Sequence, residues 1–279
     1  MGILLGKPEI EAFSESGFLL IRDYFDVERE ISPILNGIRL IIEALSVKYG
    51  YEQTYNCATD AMVEGYTKLI RRNRTWGGEV YDAVKQIPEF ISLVASPANS
   101  ETFKKLRGGS IPGIAAGGYG IRIDNPGEER FRAPWHQEFP AQLRSVDGVV
   151  FWSPLISVTE EMGPVQIASG SHKEGPIPVF EENLSTRTGA YSLKIENEKE
   201  RLKKFEIVAP TTNPGDLVLM DFLTLHRSGQ NFADRPRWSM QFRYFNFRDP
   251  VGIDISWSGS YAEGKKFEDI VPSLKSANQ

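Results

Sequence analysis

The sequence of 279 residues contains a single cysteine, Cys57, which excludes an internal disulfide and a metal cluster held by several thiolates. It has no continuous apolar run long enough to cross a bilayer, and its first residues lack a charged leader followed by an apolar core. We therefore expect a soluble, cytoplasmic protein without a membrane partner.

Neither sign of charge dominates the chain. Lysine and arginine number 32 against 37 for aspartate and glutamate, which gives a formal net charge of -5. No overall field attracts nucleic acid, so we expect none as a partner. A hydrophobic content of 41% is ordinary for a globular protein, and the length allows one large domain or two small ones.

Helical periodicity dominates residues 1–110. A short helix is predicted over 8–15, a strand over 17–25 and a long helix over 27–49, with Asp26 as its N-cap. Apolar residues three and four positions apart form one stripe on the long helix: Ile31, Ile34, Leu35, Ile38, Ile41, Ile42 and Leu45.

Short β-like runs between glycine and proline turns begin after Gly109. The predicted strands cover 119–123, 146–152, 165–168, 217–220 and 238–247, a pattern typical of an antiparallel sandwich or barrel. The polar interval 176–204 has no clear periodicity. It is either a lid over a site or a solvated excursion.

Candidate metal ligands occur in His136-Gln137-Glu138, within a segment of strand-like composition. Alternate side chains of a strand share a face, so His136 and Glu138 could bind one metal ion, although such a pair is common by chance. His226 follows the run 215–221 and could complete a set of two histidines and one carboxylate, or be an ordinary histidine at a strand end. That set leaves three metal positions open, which suits a non-haem Fe(II) oxygenase.

Arg237 and Ser239 follow His226 on a predicted strand. A guanidinium can hold a carboxylate through two charge-assisted hydrogen bonds, and Ser239 adds a hydroxyl on the same face, so a dicarboxylate would fit. Arg235 and Arg243 are nearby alternatives, and a solvated basic edge is the competing interpretation.

The pair His136 and Glu138, the glycine-serine-histidine run in 163–173 and the segment 226–237 together resemble the phytanoyl-CoA dioxygenase family. The resemblance extends over residues 9–250. It implies an Fe(II)- and 2-oxoglutarate-dependent oxygenase on a double-stranded β-helix, a cupin-like jelly roll. The expected fold is mainly β with a helical N-terminal part. One domain would span 1–279, with helices in 1–110, the jelly-roll core in 111–250 and a C-terminal tail in 251–279.

The resemblance implies that His136, Glu138 and His226 are the iron ligands and that Arg237, assisted by Ser239, binds the distal carboxylate of 2-oxoglutarate. His172 lies in a turn that is structural in the family and is left out of the metal set. We expect three further residues near the cosubstrate or substrate, namely Trp152, Arg122 and Arg132. For each of them, ordinary packing or solvent exposure is the alternative.

Glu138 departs from the family, which usually has aspartate at this position. The extra methylene requires the strand to lie farther back or the carboxylate to approach in another rotamer. A carboxylate of either length argues against halogenation, because halogenating relatives have a small residue there.

The function implied is hydroxylation of an unactivated C–H bond in a small metabolite by O2, with release of succinate and CO2. Desaturation, cyclisation and epimerisation are related outcomes. The alternatives are a cupin-like metal isomerase or dioxygenase that does not use 2-oxoglutarate, and a non-catalytic binding protein. Residues 50–110 and 174–204 are expected to shape the substrate pocket, and the polarity of the second interval favours a small polar substrate.

Overall fold

The computed structural model describes residues 5–51, 53–181, 193–259 and 271–275. Helices dominate its first part, as predicted. The helices are α1 (Lys7–Ser16), α2 (Ser32–Lys48), α3 (Ala58–Asp60), α4 (Tyr66–Arg72), α5 (Trp76–Val84), α6 (Pro88–Val94), α7 (Pro97–Leu106), α8 (Glu138–Ala141), α9 (Glu198–Leu202) and α10 (Pro250–Asp254).

The helix predicted over 27–49 begins as a π-helical turn, Val27–Ile31, and continues as α2. The Asp26 carboxylate accepts a hydrogen bond from the backbone N of Arg29 at 3.0 Å, as expected of an N-cap. Ile34, Ile38 and Ile42 are fully buried along one side. The apolar stripe therefore faces the core.

The strands are short and antiparallel. They are β1 (Phe18–Ile21), β2 (Pro112–Ile114), β3 (Gly120–Asp124), β4 (Gly148–Pro154), β5 (Val165–Ala168), β6 (Val179–Glu181), β7 (Leu193–Ile195), β8 (Ile207–Val208), β9 (Leu217–Asp221), β10 (His226–Ser228) and β11 (Arg237–Asn246). The five strands predicted after Gly109 are confirmed, as β3, β4, β5, β9 and β11. The predicted strand over 17–25 is reduced to β1.

The main sheet has the order β1-β9-β4-β11, and the other edge of β11 pairs with β2 and β3. One face packs against the helices: Trp238 Nε1 donates to the carbonyl of Met62 at 3.1 Å, and the Tyr244 hydroxyl donates to the carbonyl of Val94 at 2.7 Å. Because side chains alternate along a strand, the opposite face of β11 carries Arg237 and every second residue after it.

A smaller sheet, β10-β5-β8, supplies the other wall of a cavity. This cavity, which we call the metal-side cavity, is lined by Trp152 and Met220 from the main sheet and by Val165 and His226 from the smaller one. A space enclosed by two antiparallel sheets, with helices outside, is the predicted jelly-roll arrangement. The change from helix to strand falls between α7 and β2, close to the predicted boundary at 110.

The interval 176–204 contains the β6-β7 hairpin and α9, and its residues 182–192 lie outside the described part of the chain. Val179 and Leu193 pack in one cluster with Phe139 and Leu143. In the ranges 176–181 and 193–204, no residue lines the metal-side cavity. The described flanks therefore support the segment after Glu138 from behind and do not cover the cavity.

Among the described residues, no helix has both the length and the apolar character needed to cross a membrane.

Candidate metal centre

The segment from His136 to Glu138 is extended but is not a regular strand. His136 forms an isolated antiparallel bridge with His226, with backbone N to O distances of 3.0 and 3.1 Å, and Glu138 begins the short helix α8. Gln137 has φ −94° and ψ 151°, which is extended backbone. His136 and Glu138 consequently project to the same side, as expected, although the strand predicted around them ends at one bridge.

The side chain of Gln137 projects to the opposite side and anchors the loop. Its amide nitrogen donates to the carbonyls of Gly175 and Leu223 at 2.9 and 2.7 Å, and its oxygen accepts from the backbone N of Ile177 at 2.8 Å. A buried amide with these partners holds the backbone between the two candidate ligands in one conformation.

The structure brings together the three residues that were predicted as metal ligands. One donor atom from each of His136, Glu138 and His226 lies within 4.8 Å of the others. Glu138 Oε2 is 3.9 Å from His136 Nε2 and 3.7 Å from His226 Nε2. Adjacent ligands of one ion with bonds near 2.1 Å lie about 3.0–3.4 Å apart, so each imidazole nitrogen would close on Oε2 by less than about 1 Å to share an ion with it.

Backbone contacts select the nitrogen that each histidine presents. His136 Nδ1 lies 2.8 Å from the carbonyl of Pro134, and His226 Nδ1 lies 2.9 Å from the carbonyl of Thr224. A carbonyl accepts only, so each Nδ1 carries the proton and each Nε2 offers a lone pair toward Glu138. Burial lowers the pKa of both imidazoles, that of His226 to about 3, so both are neutral as metal binding requires.

Glu138 is held by one carboxylate oxygen only. Its Oε1 accepts from Arg243 Nε at 2.8 Å, whereas the buried Oε2 has no hydrogen-bond partner among the described residues. Burial raises the pKa of this carboxyl group, but the positive charge and hydrogen bond of Arg243 oppose it and the net pKa is lowered. An ionised, buried oxygen without a partner beside two imidazole lone pairs fits a bound cation.

Arg243 also accounts for the glutamate that stands where the family usually has aspartate. The arginine donates to the carbonyl of Gly118 at 3.0 Å, which fixes its position behind the carboxylate. The longer side chain of Glu138 reaches this arginine with one oxygen while its other oxygen faces the histidines.

Arg237 is 2% exposed and lies on the cavity side of β11. Its Nη2 is 2.9 Å from Asp124 Oδ2, and its Nη1 donates to the carbonyl of Met162 at 3.3 Å. Burial raises the pKa of Asp124, but Arg122 and Arg237 together hold it below its usual range. Asp124, which sequence reasoning missed, is therefore an ionised support for the guanidinium.

Two buried donors in this region have no acceptor among the described residues: Arg237 Nε and the Ser239 hydroxyl. Ser239 is fully buried and, unlike Arg237, is not part of the cavity wall. Both residues belong to the same face of β11. The pair retains hydrogen-bonding capacity for an anionic ligand.

Trp152 and Arg122 line the cavity, which has a volume of about 280 Å³. Arg122 Nη2 donates to Asp124 Oδ1 at 2.8 Å. Arg132, by contrast, is not in the cavity wall and pairs with Glu129 at 2.7 Å. Arg243 was only an alternative to Arg237 at the sequence level, but it contacts a candidate ligand.

His172 lies outside the metal cluster, as expected. It is in the 3₁₀ turn Ser171–Glu174, and its Nε2 is 3.0 Å from the carbonyl of Ser14 in α1. Its contact therefore joins the turn to the N-terminal helix.

A jelly roll with two histidines and one carboxylate converging in its cavity defines a class of metal-binding protein, of which non-haem iron oxygenases are the main example. Residues 13–239 match the family description "Phytanoyl-CoA dioxygenase (PhyH)". Because the match extends over most of the chain, the protein belongs to the phytanoyl-CoA dioxygenase family, as its motifs indicated.

A curated relative from Streptomyces arenae, named 1-deoxypentalenic acid 11-beta-hydroxylase, is 32% identical over 120 residues, which are 42% of this chain and 42% of the relative. The matched part thus spans less than half of that relative's length.

Solved structures confirm the fold at low sequence identity. The carbocyclase SnoK from nogalamycin biosynthesis, described as α-ketoglutarate-dependent, has a TM-score of 0.54 at 18% identity over 87% of this chain and 84% of its own. EctD from S. alaskensis with 2-oxoglutarate and 5-hydroxyectoine has a TM-score of 0.58 at 18% identity over 87% of this chain and 76% of its own.

Proposed function

We propose that this protein is an Fe(II)- and 2-oxoglutarate-dependent dioxygenase that hydroxylates an unactivated C–H bond of a small metabolite. The observation that carries the proposal is the convergence of two neutral imidazole nitrogens on the unpartnered Oε2 of Glu138, inside the cavity that Arg237 also lines.

His136, Glu138 and His226 would hold the iron. When bound, iron and 2-oxoglutarate would supply the oxidising power for the reaction with O2, with succinate and CO2 as coproducts. The protein's contribution is orientation: Gln137 and the carbonyls of Pro134 and Thr224 fix the ligands before any metal arrives.

Arg237 would bind the distal carboxylate of 2-oxoglutarate. Asp124 keeps the guanidinium in place, and Arg237 Nε and the Ser239 hydroxyl have no protein acceptor in the described structure. A carboxylate on this face would accept a hydrogen bond from a buried, charged donor. Such a charge-assisted hydrogen bond is stronger than one between neutral groups. Trp152 would bound the same space as a cavity wall.

The presence of a carboxylate at Glu138 supports oxygenation over halogenation. Hydroxylation is supported by the name of the S. arenae relative, a hydroxylase. The solved relatives include a carbocyclase and an epimerase, so the same fold also supports other outcomes.

Binding of 2-oxoglutarate to the anaerobic Fe(II) protein tests the proposal. We expect a weak visible charge-transfer band when 2-oxoglutarate is added, and we expect Arg237→Ala to abolish it while iron stays bound. Arg132→Ala is the matched control, because Arg132 lies outside the cavity wall. A wild-type protein that holds iron but shows no band would exclude this function and favour a metal enzyme that does not use 2-oxoglutarate.

A further inference from the structure

A second cavity of about 250 Å³ adjoins the metal-side cavity. We call it the side chamber. Its wall combines residues of α4 and α5 with β3 and the 3₁₀ turn Glu129–Phe131, and it shares Tyr81 and Arg122 with the metal-side cavity. The uncharged lining residues are Tyr66, Gly77, Gly78, Tyr81, Ile123 and Phe131.

The two charged residues of the wall each pair with a carboxylate, although Asp124 is shared between Arg122 and Arg237. Arg74 Nη2 is 2.6 Å from Glu128 Oε2, and Arg122 Nη2 is 2.8 Å from Asp124 Oδ1. Arg74 also lies over the Phe131 ring at 5.2 Å. The side chamber therefore offers mainly aromatic and apolar surface, and each arginine of its described wall contacts a carboxylate.

Two aromatic side chains at the chamber are exposed in the structure, Tyr81 by 44% and Phe131 by 48%. The carbonyl of Phe131 accepts from Arg122 Nη2 at 3.1 Å, which joins the turn to the boundary of the metal-side cavity. Exposed aromatic surface that rims a concave space is typical of ligand-binding sites.

Gly78 belongs to the chamber wall and has open space where a side chain would begin. A Cβ atom added at Gly78 would have no heavy atom within 4 Å, whereas one at the neighbouring Gly77 would lie 2.9 Å from the Tyr66 hydroxyl oxygen. Glycine inside a helix costs about 1 kcal/mol relative to alanine. At Gly78 close packing does not require glycine, so a side chain can be added to the chamber wall without a clash at Cβ.

We propose that the side chamber binds the apolar ring part of the primary substrate, with the reacting C–H bond directed past Tyr81 and Arg122 toward the metal ligands. The inference deepens the proposed function and rests on it. The cosubstrate needs part of the metal-side cavity, so the side chamber supplies volume for the substrate. An apolar ring system thus replaces the small polar metabolite expected from the polarity of 174–204.

The binding of simple ring compounds, measured without turnover, tests this inference. The probes are indole, 2-naphthol and α-tetralone, with lysine and glucosamine as polar comparators, titrated by ligand-observed NMR against the Fe(II) protein with 2-oxoglutarate and against the metal-free protein. The variants are Gly78→Phe, which adds a ring at the chamber wall, and Phe131→Ala, which removes a ring from it. Asp82→Phe is the matched control, because it adds the same ring to α5 at an exposed position outside the chamber.

We expect the ring probes to bind wild type and Asp82→Phe, and both chamber variants to bind about tenfold or more weakly because ring burial is lost. The charge-transfer band with 2-oxoglutarate should persist in Gly78→Phe. Ring probes that bind all variants equally, or that fail to bind wild type, would overturn the inference, as would preferred binding of the polar comparators. Chamber-dependent binding without any charge-transfer band in wild type would overturn the proposed function instead.

Discussion

The two faces of β11 contrast sharply within one strand. One face presents Arg237, Ser239, Gln241 and Arg243 at intervals of two, and three of these residues line the metal-side cavity. The other presents Trp238, Met240, Phe242 and Tyr244, all buried against the helical layer. A single strand therefore both stabilises the sheet and holds the polar residues around the candidate metal centre.

Loss of a candidate ligand should produce the largest effect on the polar side. We expect His226→Ala to abolish Fe(II) binding and 2-oxoglutarate turnover, because only one imidazole and one carboxylate remain. Metal content and isothermal titration measure the change. His172→Ala is the control: its hydrogen bond to Ser14 is remote from the cluster, so iron binding should stay at the wild-type level. Equal iron loss in both variants would show that His226 acts through folding.

Truncation on the apolar face should instead lower stability. Trp238 is fully buried and donates to the carbonyl of Met62, so Trp238→Ala should cost about 3–5 kcal/mol in the free energy of unfolding. Urea denaturation of the metal-free protein measures this quantity. Protein that remains folded should bind Fe(II) nearly as wild type does. A cost below about 1 kcal/mol would contradict the assignment of this face to the core.

Arg243 tests whether the polar face positions Glu138. Arg243→Met removes the hydrogen bond to Oε1 but keeps an unbranched side chain, so Fe(II) affinity should fall about 10–100-fold, as for other residues that orient a ligand. The paired control is Gln241→Ala, which alters the same cavity face without a hydrogen bond to Glu138. Unchanged affinity in Arg243→Met would mean that the carboxylate is positioned without the arginine.

The smallest expected effect is a pH dependence from Asp124. Its pKa is lowered in the folded protein, so it contributes stability that is present above the ordinary aspartate pKa, near 3.8, and is lost as pH falls toward the folded value. The free energy of unfolding should therefore decrease on acidification below about pH 4 more steeply in wild type than in Asp124→Asn. Denaturation curves at several pH values measure the slopes, and parallel slopes would contradict this role.

Sequence patterns predicted the longer elements because each has a clear period. The stripe on α2 repeats at helical spacing, and the five β runs predicted after Gly109 alternate or carry branched and aromatic residues. Strands of two or three residues, such as β2, β8 and β10, are too short to carry a period. They form because a neighbouring strand supplies the hydrogen bonds.

The sequence indicated the candidate metal ligands, but it did not indicate the residues that hold them in place. Arg243 was indistinguishable from Arg235 and Arg237 by spacing, and Asp124 carried no motif. By sequence alone, Gln137 is only the residue between two candidate ligands, with no sign of its buried hydrogen bonds. Each acquired its function from partners far along the chain, as in the contact of Arg243 with Glu138 and that of Asp124 with Arg237.

The sequence by itself indicated the family, the longer helices and strands, and the candidate set His136, Glu138 and His226, because these depend on residue type and local periodicity. Only the tertiary structure decided which oxygen of Glu138 is available and where an apolar chamber opens. Those properties depend on distances between segments separated by up to about a hundred residues, as for Glu138 and Arg243. The packing of the two sheets and the helices brings such segments together, whereas local conformational preference does not.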